Sequence, residues 1–221
     1  MRVIDITGII HDGMWTYGPP YPAVKVEEIP IPEWISYPTY SWRFELGGQT
    51  GTYLETGLHM KRGRPAVADI PVESLINRDA VVLKVPGKEC SEDAITVADL
   101  ERCKAEIRAG DAIFVSVGRD RKWREADYVT ESPYFERAAM DWLIDRKPFL
   151  IGGDWPRFDS WKKPQKFFHR LFDEGILLLG PVVNLTQVTR PRVKLWVLPM
   201  KVEASAAVPA RAILIEGEKG V

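Results

Sequence analysis

A stretch early in the chain, GGQTGTYLETGLH at positions 47–59, carries side chains that could do acid–base or metal chemistry. Its chemically capable residues, Gln49, Tyr53, Glu55 and His59, all occupy odd positions. In an extended segment alternate side chains share one face, which would place an amide, a phenol, a carboxylate and an imidazole together. The intervening glycines would let a ligand approach the backbone closely. By itself the spacing is more typical of a half-exposed polar strand, and it identifies no reaction.

The composition is that of an ordinary globular protein. The 221 residues are 45% hydrophobic and 28% charged, and the formal net charge is −1 without a basic stripe, which argues against a nucleic-acid partner. No apolar run approaches the ~20 residues of a membrane span, and the opening residues lack the apolar core of a signal peptide. Cys90 and Cys103 form no C-x-x-C pair and suit a reducing compartment. We therefore predict a cytoplasmic protein without a membrane partner.

Strand-like and helix-like segments alternate in the second half of the chain. Strands are predicted at RVIDIT, YSWRFELGG, DAVVLKV (79–85), DAIFVSVG (111–118), PFLIGGD (148–154), ILLLG (176–180), KLWVLPMKV and ARAILIEG. Strand–helix–strand order predicts right-handed parallel crossovers. The fold class is therefore α/β, with a mixed sheet, βαβ crossovers in the second half and one domain spanning residues 1–221.

Three helices are expected between these strands. Thr96 followed by Asp99 resembles a capping box that opens the first helix, for which Gly110 is the predicted stop. The second helix follows Pro133, and the third spans residues 164–175 and ends on a glycine.

The stretch at 47–59 resembles the signature of the cyclase family, metal-dependent hydrolases that include kynurenine formamidases and isatin hydrolases. The family signature is H-x-G-T-H-x-D-x-P-x-H, and this chain has Q-T-G-T-Y-L-E-T-G-L-H. Further segments resemble family segments in the family's order: IDITGIIHDGMWTYGPPYP, DIPVESLINRDAVVLKV, GDAIFVSVGRDRKW, FLIGGDWPRFD, and NLTQV followed by WVLPMKVEASAAVPARAILI. The resemblance implies a cyclase-like swivelling β/β/α domain, a homodimer or homotetramer, and hydrolysis of a carbon–nitrogen bond in a small amide or cyclic amide.

The resemblance also implies a site in which the ligand residues have changed. In the family the first two histidines and the aspartate of the signature hold a divalent metal, and these positions are Gln49, Tyr53 and Glu55 here. The last histidine, an acid–base group, is His59, and a later family histidine corresponds to His169. A later family glutamate falls near residues 179–181, where this chain has no carboxylate. Oxygen donors would favour Mn²⁺ or Mg²⁺ over Zn²⁺, or the site holds no metal.

Three interpretations follow. In the first, Glu55, His169 and Gln49 hold a metal that activates water, and His59 moves the proton. In the second, a metal-free lyase, isomerase or cyclase uses His59 and Glu55, with Tyr53 as a proton donor or oxyanion stabiliser. In the third, the protein binds a small molecule without catalysis. The first is preferred, although kynurenine formamidase activity itself is not expected because the metal ligands differ.

Other residues could contact a substrate. The predicted substrate-binding residues are Trp15, Tyr17 and Trp155, whose side chains could line a pocket for an aromatic molecule. Asp154 and Asp159 follow a predicted parallel strand at its carboxyl end, where α/β folds place functional groups. The basic loop GRDRKWRE (118–125) is an alternative anchor for a carboxylate, although a solvated loop is the default interpretation.

Overall fold

A large mixed sheet forms the centre of the computed structural model, which describes residues 1–217. The strands are β1 (Arg2–Asp5), β2 (Lys25–Ile29), β3 (Ser41–Glu45), β4 (Tyr53–Glu55), β5 (Arg78–Lys84), β6 (Ala94–Ile95), β7 (Ala112–Ser116), β8 (Tyr134–Phe135), β9 (Leu150–Gly153), β10 (Leu177–Gly180), β11 (Val193–Pro199) and β12 (Ala207–Glu216). The helices are α1 (Val97–Arg102), α2 (Arg137–Ile144) and α3 (Phe168–Asp173).

The large sheet closes into a barrel of seven strands. Its order is β1-β12-β11-β5-β7-β9-β10-β4, and β12 pairs with β4 as well. The long β12 makes closure possible because its first residues pair with β4 and its last residues pair with β1. β2 with β3, and β6 with β8, form two small separate sheets.

The predicted α/β class and parallel crossovers are confirmed. Strands β5, β7, β9 and β10 are adjacent and parallel, and a helix lies between each successive pair along the chain. Their apolar side chains alternate between two packed layers, as strand geometry requires. Phe114 belongs to the layer inside the barrel, whereas Ile113 and Val115 pack in the layer that contains the helices. The prediction of one domain over residues 1–221 stays a prediction, and residues 218–221 lie outside the described part.

One glycine is required inside the barrel by close packing. A Cβ atom on Gly152 would lie 2.6 Å from the carbonyl oxygen of Leu179 and 2.6 Å from the ring of Phe114. Because backbone and a buried aromatic ring meet at this point, a side chain there would force the strands apart. Within residues 1–217, no helix is long and apolar enough to cross a membrane.

All three helices are shorter than the sequence pattern predicts. α2 begins at Arg137 and not directly after Pro133, because Tyr134 and Phe135 form strand β8 and pair with β6. α1 ends at Arg102 and not near Gly110, and Lys104 has φ +49°, which a continuing helix cannot accommodate. The third predicted helix begins at Phe168 instead of residue 164. The cause lies in the preceding loop, where the carboxylate of Asp159 accepts hydrogen bonds from two backbone N–H groups and Lys166 has φ +58°.

The predicted capping box at the start of α1 is confirmed. The hydroxyl of Thr96 accepts from the backbone N–H of Asp99 at 3.2 Å, and the Asp99 carboxylate accepts from the Thr96 N–H at 2.9 Å. We expect Thr96→Ala to lower the free energy of unfolding by about 1 kcal/mol, because it leaves a helix N–H unsatisfied. Urea denaturation measures this. Thr130→Ala, at an exposed threonine, is the control, and an equal loss in both variants would contradict the capping role.

Candidate functional site

The stretch at 47–59 does not form the single extended segment predicted from its sequence. Only Tyr53–Glu55 is a strand, Gly51 turns with φ +64°, and Gly57–His59 forms one turn of 3₁₀ helix. The strand pairs on both sides, with β10 and with β12. The turns at each end nevertheless bring Gln49 and His59 back towards the strand.

A cavity of about 340 Å³ collects the side chains that the sequence pattern singles out. It lies between β4, β10, α3 and the loop after β9. Its lining residues are Tyr17, Tyr21, Gln49, Tyr53, Glu55, His59, Pro156, Arg157, Phe158, Asp159, Ser160, Trp161, Phe168, Phe172, Leu178 and Gly180. The four polar side chains of the signature therefore face one space, with aromatic side chains opposite them.

Glu55 is the central polar group of this cavity. Its side chain is only 4% exposed, and its Oε1 atom accepts a hydrogen bond from Nε2 of Gln49 at 2.7 Å. Nδ1 of His59 lies 3.2 Å from the same oxygen. Burial raises the pKa of Glu55 to about 8, against the opposing effect of the Gln49 hydrogen bond. Within residues 1–217 no lysine or arginine forms an ion pair with this carboxylate, so nothing cationic offsets its desolvation.

His59 is the second titrating group. Its side chain is about 39% exposed, so it links the buried carboxylate with the open part of the cavity. Burial lowers the pKa of the imidazole. Because the pKa of Glu55 is about 8, its carboxyl is largely protonated at neutral pH, and it lies 3.2 Å from Nδ1 of His59, close enough to exchange a proton.

The phenol of Tyr53 is hydrogen-bonded to a neighbouring tyrosine. The hydroxyls of Tyr17 and Tyr53 lie 3.0 Å apart, and Tyr17 donates to the carbonyl oxygen of Pro156 at 2.9 Å. Since that carbonyl can only accept, the proton of Tyr17 is used there, and Tyr53 must donate to Tyr17. Burial raises the pKa of Tyr53 well above its usual value. Tyr53 therefore offers an acceptor to the cavity, unlike the predicted proton donor or oxyanion stabiliser.

The predicted metal ligands Glu55, His169 and Gln49 do not assemble. His169 lies on the exposed side of α3, outside the cavity lining. Gln49 turns its amide N–H towards Glu55, and a protonated Tyr53 is a poor ligand. Across residues 1–217, no three His, Cys, Asp or Glu side chains are grouped so that they could hold a metal ion. One carboxylate and one imidazole in mutual contact do not fit a zinc site, which needs about four such donors.

Of the predicted substrate-binding residues, only Tyr17 lines the cavity. Trp15 packs away from it, with ring centroids 5.1 Å from Trp123 and 5.2 Å from Tyr128. Trp155 is fully buried, and its indole N–H donates to the carbonyl oxygen of Arg157 at 2.8 Å. Trp155 is therefore a core residue, whereas Trp15 is partly buried against the cluster that contains Trp123 and Tyr128.

The two aspartates after β9 organise the loop that borders the cavity. Asp154 is buried and accepts from the backbone N–H groups of Val117 and Gly118 at 2.8 and 2.9 Å. Asp159 lines the cavity, although both its oxygens bind backbone N–H groups. The basic loop 118–125 does not reach the cavity. Its Arg119 is buried and donates to the carbonyl oxygens of residues 89 and 127.

Sequence reasoning missed several residues of the cavity. Arg157 follows the same parallel strand as Asp154 and Asp159, so the position that drew attention to the aspartates could have identified it. Tyr21 lies in the aromatic and proline-rich segment around Tyr17, where no pattern separates lining residues from core residues. The aromatic residues of α3 were expected to be helical, but their direction depends on how the helix packs.

Comparison with known proteins places the chain in a family. A family model described as "Putative cyclase" matches residues 4–160. Kynurenine formamidase from Salinibacter ruber (strain DSM 13855 / M31) is 32% identical over 170 residues, 76% of this chain and 76% of that protein. The chain belongs to the cyclase family, as the resemblance indicated.

Solved structures agree on the fold. Isatin hydrolase A from Labrenzia aggregata is 19% identical with a TM-score of 0.82, covering 98% of this chain and 94% of that one. Isatin hydrolase A from Ralstonia solanacearum is 22% identical with a TM-score of 0.79, covering 97% and 92%. The similarity spans both chains almost completely and supports the mixed α/β barrel.

Proposed function

We propose that this protein is a hydrolase that cleaves a carbon–nitrogen bond of a small amide or cyclic amide. The observation that carries the proposal is the contact of 3.2 Å between the buried carboxyl of Glu55 and the partly exposed imidazole of His59, at the wall of a cavity of about 340 Å³. The names of the relatives, kynurenine formamidase and isatin hydrolase, support hydrolysis of this bond type. Because the donor set does not fit a zinc site, the proposed route uses acid–base chemistry by side chains.

The reactive form requires an ionised Glu55. The carboxylate then accepts Nδ1–H of His59, and Nε2 is free to take a proton from water as the water attacks the substrate carbonyl. The imidazolium, stabilised by Glu55, next gives its proton to the departing nitrogen. Gln49 holds the carboxylate in place through the 2.7 Å hydrogen bond.

Tyr21 is the proposed donor to the developing negative charge on the carbonyl oxygen. Its phenol lines the cavity and is hydrogen-bonded to the side chain of Gln49. Because that bond lowers the pKa of the phenol, Gln49 donates to the phenol oxygen, and the phenol proton is left for a ligand. The donor role passes to Tyr21 because the proton of Tyr53 is already given to Tyr17. Donors directed at such an oxygen contribute strongly to catalysis.

The same pair could instead transfer protons in a lyase, isomerase or cyclisation reaction. The shared contact between a carboxyl and an imidazole on one oxygen supports this second candidate, because it can both release and receive a proton. Products distinguish the two: only hydrolysis yields a carboxylic acid and an amine.

The proposal is tested with purified protein and a panel of formanilides, acetanilides and cyclic amides, with products separated by chromatography. We expect turnover of at least one compound that persists after EDTA dialysis, with N-formylkynurenine hydrolysed at no more than a trace rate. His59→Gln should lower kcat/KM by about 10²–10⁴-fold. His169→Gln is the matched control and should retain the parent rate. Turnover that EDTA abolishes, or equal losses in both variants, would contradict the metal-free route.

We also propose that the protein forms a homodimer or homotetramer. Support comes from the β2–β3 hairpin, where Trp42 and Phe44 are 51% and 64% exposed, and from Trp34 in its loop at 82%. Exposed aromatic side chains this close together are typical of interfaces. Light scattering after size-exclusion chromatography measures the oligomeric state.

A further inference from the structure

The loop after β9 holds its backbone rigidly at the edge of the cavity. Asp154 fixes its start through the two backbone N–H groups after β7. The carbonyl oxygen of Pro156 accepts from Tyr17 at 2.9 Å, and that of Arg157 accepts from Trp155 at 2.8 Å. Asp159 fixes its end at 2.7 and 3.0 Å from two further N–H groups. The side chain between these points, Arg157, therefore starts from a fixed backbone.

Arg157 brings an unsatisfied positive charge to the cavity. Its side chain lines the space, is half-buried, and places its guanidinium 5.5 Å from the ring centroid of Tyr17. Within residues 1–217 its guanidinium makes no hydrogen bond or ion pair, in contrast to buried Arg119 and to Arg192, which binds Asp111 at 2.7 Å. Asp159 lines the same cavity but forms no ion pair with Arg157, and its two carboxylate oxygens accept from backbone N–H groups instead. A partly desolvated cation without a partner is costly unless a ligand supplies the anion.

We propose that Arg157 is a specificity-determining residue that binds a carboxylate on the substrate. The inference rests on the proposed function for the reaction at Glu55 and His59, and it names the substrate class: small amides that carry a carboxylate. A planar guanidinium matches a carboxylate through two parallel hydrogen bonds. The apolar remainder of such a molecule fits the aromatic side of the cavity, where Phe168, Phe172 and Trp161 lie.

A singly charged carboxylate fits better than a phosphate. Arg157 is the only lysine or arginine among the lining residues within the described range, and Asp159 and Glu55 line the same space. In the reactive form, with Glu55 ionised, a doubly charged group would meet one cation and two carboxylates, so the electrostatic balance favours a monoanion.

Binding to the 2-, 3- and 4-formamidobenzoates and to the three uncharged formamidobenzamides tests the proposal. The titrations use isothermal calorimetry on Glu55→Gln protein, so that no ligand is consumed. We expect at least one formamidobenzoate to bind about 10-fold or more tightly than its amide counterpart. Adding Arg157→Gln should lower the affinity for that carboxylate ligand by about 10–100-fold and leave the affinity for its amide counterpart unchanged. Arg157→Lys should retain part of the preference.

Arg124→Gln is the charge-matched control, since Arg124 is exposed and outside the cavity lining, and it should not change either affinity. Thermal unfolding should show Arg157→Gln folded, because the guanidinium makes no hydrogen bond that the variant would lose. Three results would contradict the carboxylate-binding role of Arg157. They are a preference for the carboxylate ligand that is the same before and after Arg157→Gln, no such preference in the Glu55→Gln protein, and no binding of any compound at millimolar concentration. Turnover by the wild-type protein is measured separately. If the protein prefers carboxylate ligands but hydrolyses none of the amides, only the proposed function is contradicted. If it hydrolyses amides but does not prefer carboxylate ligands, only the role of Arg157 is contradicted.

Discussion

Glu55→Gln is expected to lower kcat/KM by about 10³-fold or more, an effect comparable with that of His59→Gln. The glutamine keeps the size of the side chain and can still accept from Gln49, but it cannot become the anion that the imidazolium of His59 needs. Steady-state kinetics on the best amide from the substrate panel measures the change. Because burial raises the pKa of Glu55 to about 8 and the reactive form is ionised, kcat/KM of the parent should rise with pH through that region.

Two outcomes would contradict this assignment. One is an activity in the parent that falls as pH rises from 7 to 9, which would indicate that the neutral carboxyl is the working form. The other is a Glu55→Gln variant with more than about a tenth of the parent rate, a loss too small for a general acid–base group. Glu125→Gln, at an exposed carboxylate outside the cavity, is the matched control and should leave the profile unchanged.

The same substitution should stabilise the folded protein at alkaline pH. Burial raises the pKa of Glu55 from 4.5 to about 8, so the folded state holds a proton that the unfolded state has lost between these values. For a carboxyl with a raised pKa, this contribution is fully present below pH ~4.5 and is lost as pH rises towards 8. At about 1.4 kcal/mol per unit, the loss reaches an order of 3–5 kcal/mol. Glu55→Gln removes the titration and should exceed the parent by this amount at pH 9.

Urea denaturation of both proteins from pH 5 to 9 measures the difference. The two curves should converge at the acidic end and separate steadily towards the alkaline end, while Glu125→Gln follows the parent throughout. A constant offset between Glu55→Gln and the parent would mean that packing, and not ionisation, separates them. In the unsubstituted protein, Glu55 therefore lowers the stability of the fold at the alkaline pH where its ionised form is needed for the reaction. Functional sites often lower stability in this way.

Much of the fold could be predicted from sequence because local patterns report it. The buried strands β7 and β9 are continuous apolar segments, and the capping box at Thr96 is a local hydrogen-bond arrangement encoded in four residues. Helix ends were predicted less well. α3 begins four residues later than predicted because the carboxylate of Asp159 accepts hydrogen bonds from the backbone N–H groups of residues 165 and 166. Such a side-chain contact leaves no periodic pattern in the sequence.

The site was predicted in composition but not in geometry. Gln49, Tyr53, Glu55 and His59 share a cavity, although turns and not an extended segment bring them together. His169 was misplaced because successive side chains of a helix differ by about 100° in direction. His169 therefore faces the solvent, although the preceding Phe168 lines the cavity. Trp155 was misplaced because its burial depends on Phe135 and Phe158, contacts between distant parts of the chain.

The position of β4 in the barrel has a consequence for biosynthesis. Glu55 sits opposite Leu178 on one side and Ala207 on the other, both more than a hundred residues further along the chain. An amino-terminal fragment, or a nascent polypeptide still emerging from the ribosome, lacks the two neighbours that define the strand. The reactive pair is therefore assembled only after the segment around Ala207 has been synthesised and has paired with β4, so activity requires strands that are far apart in the sequence.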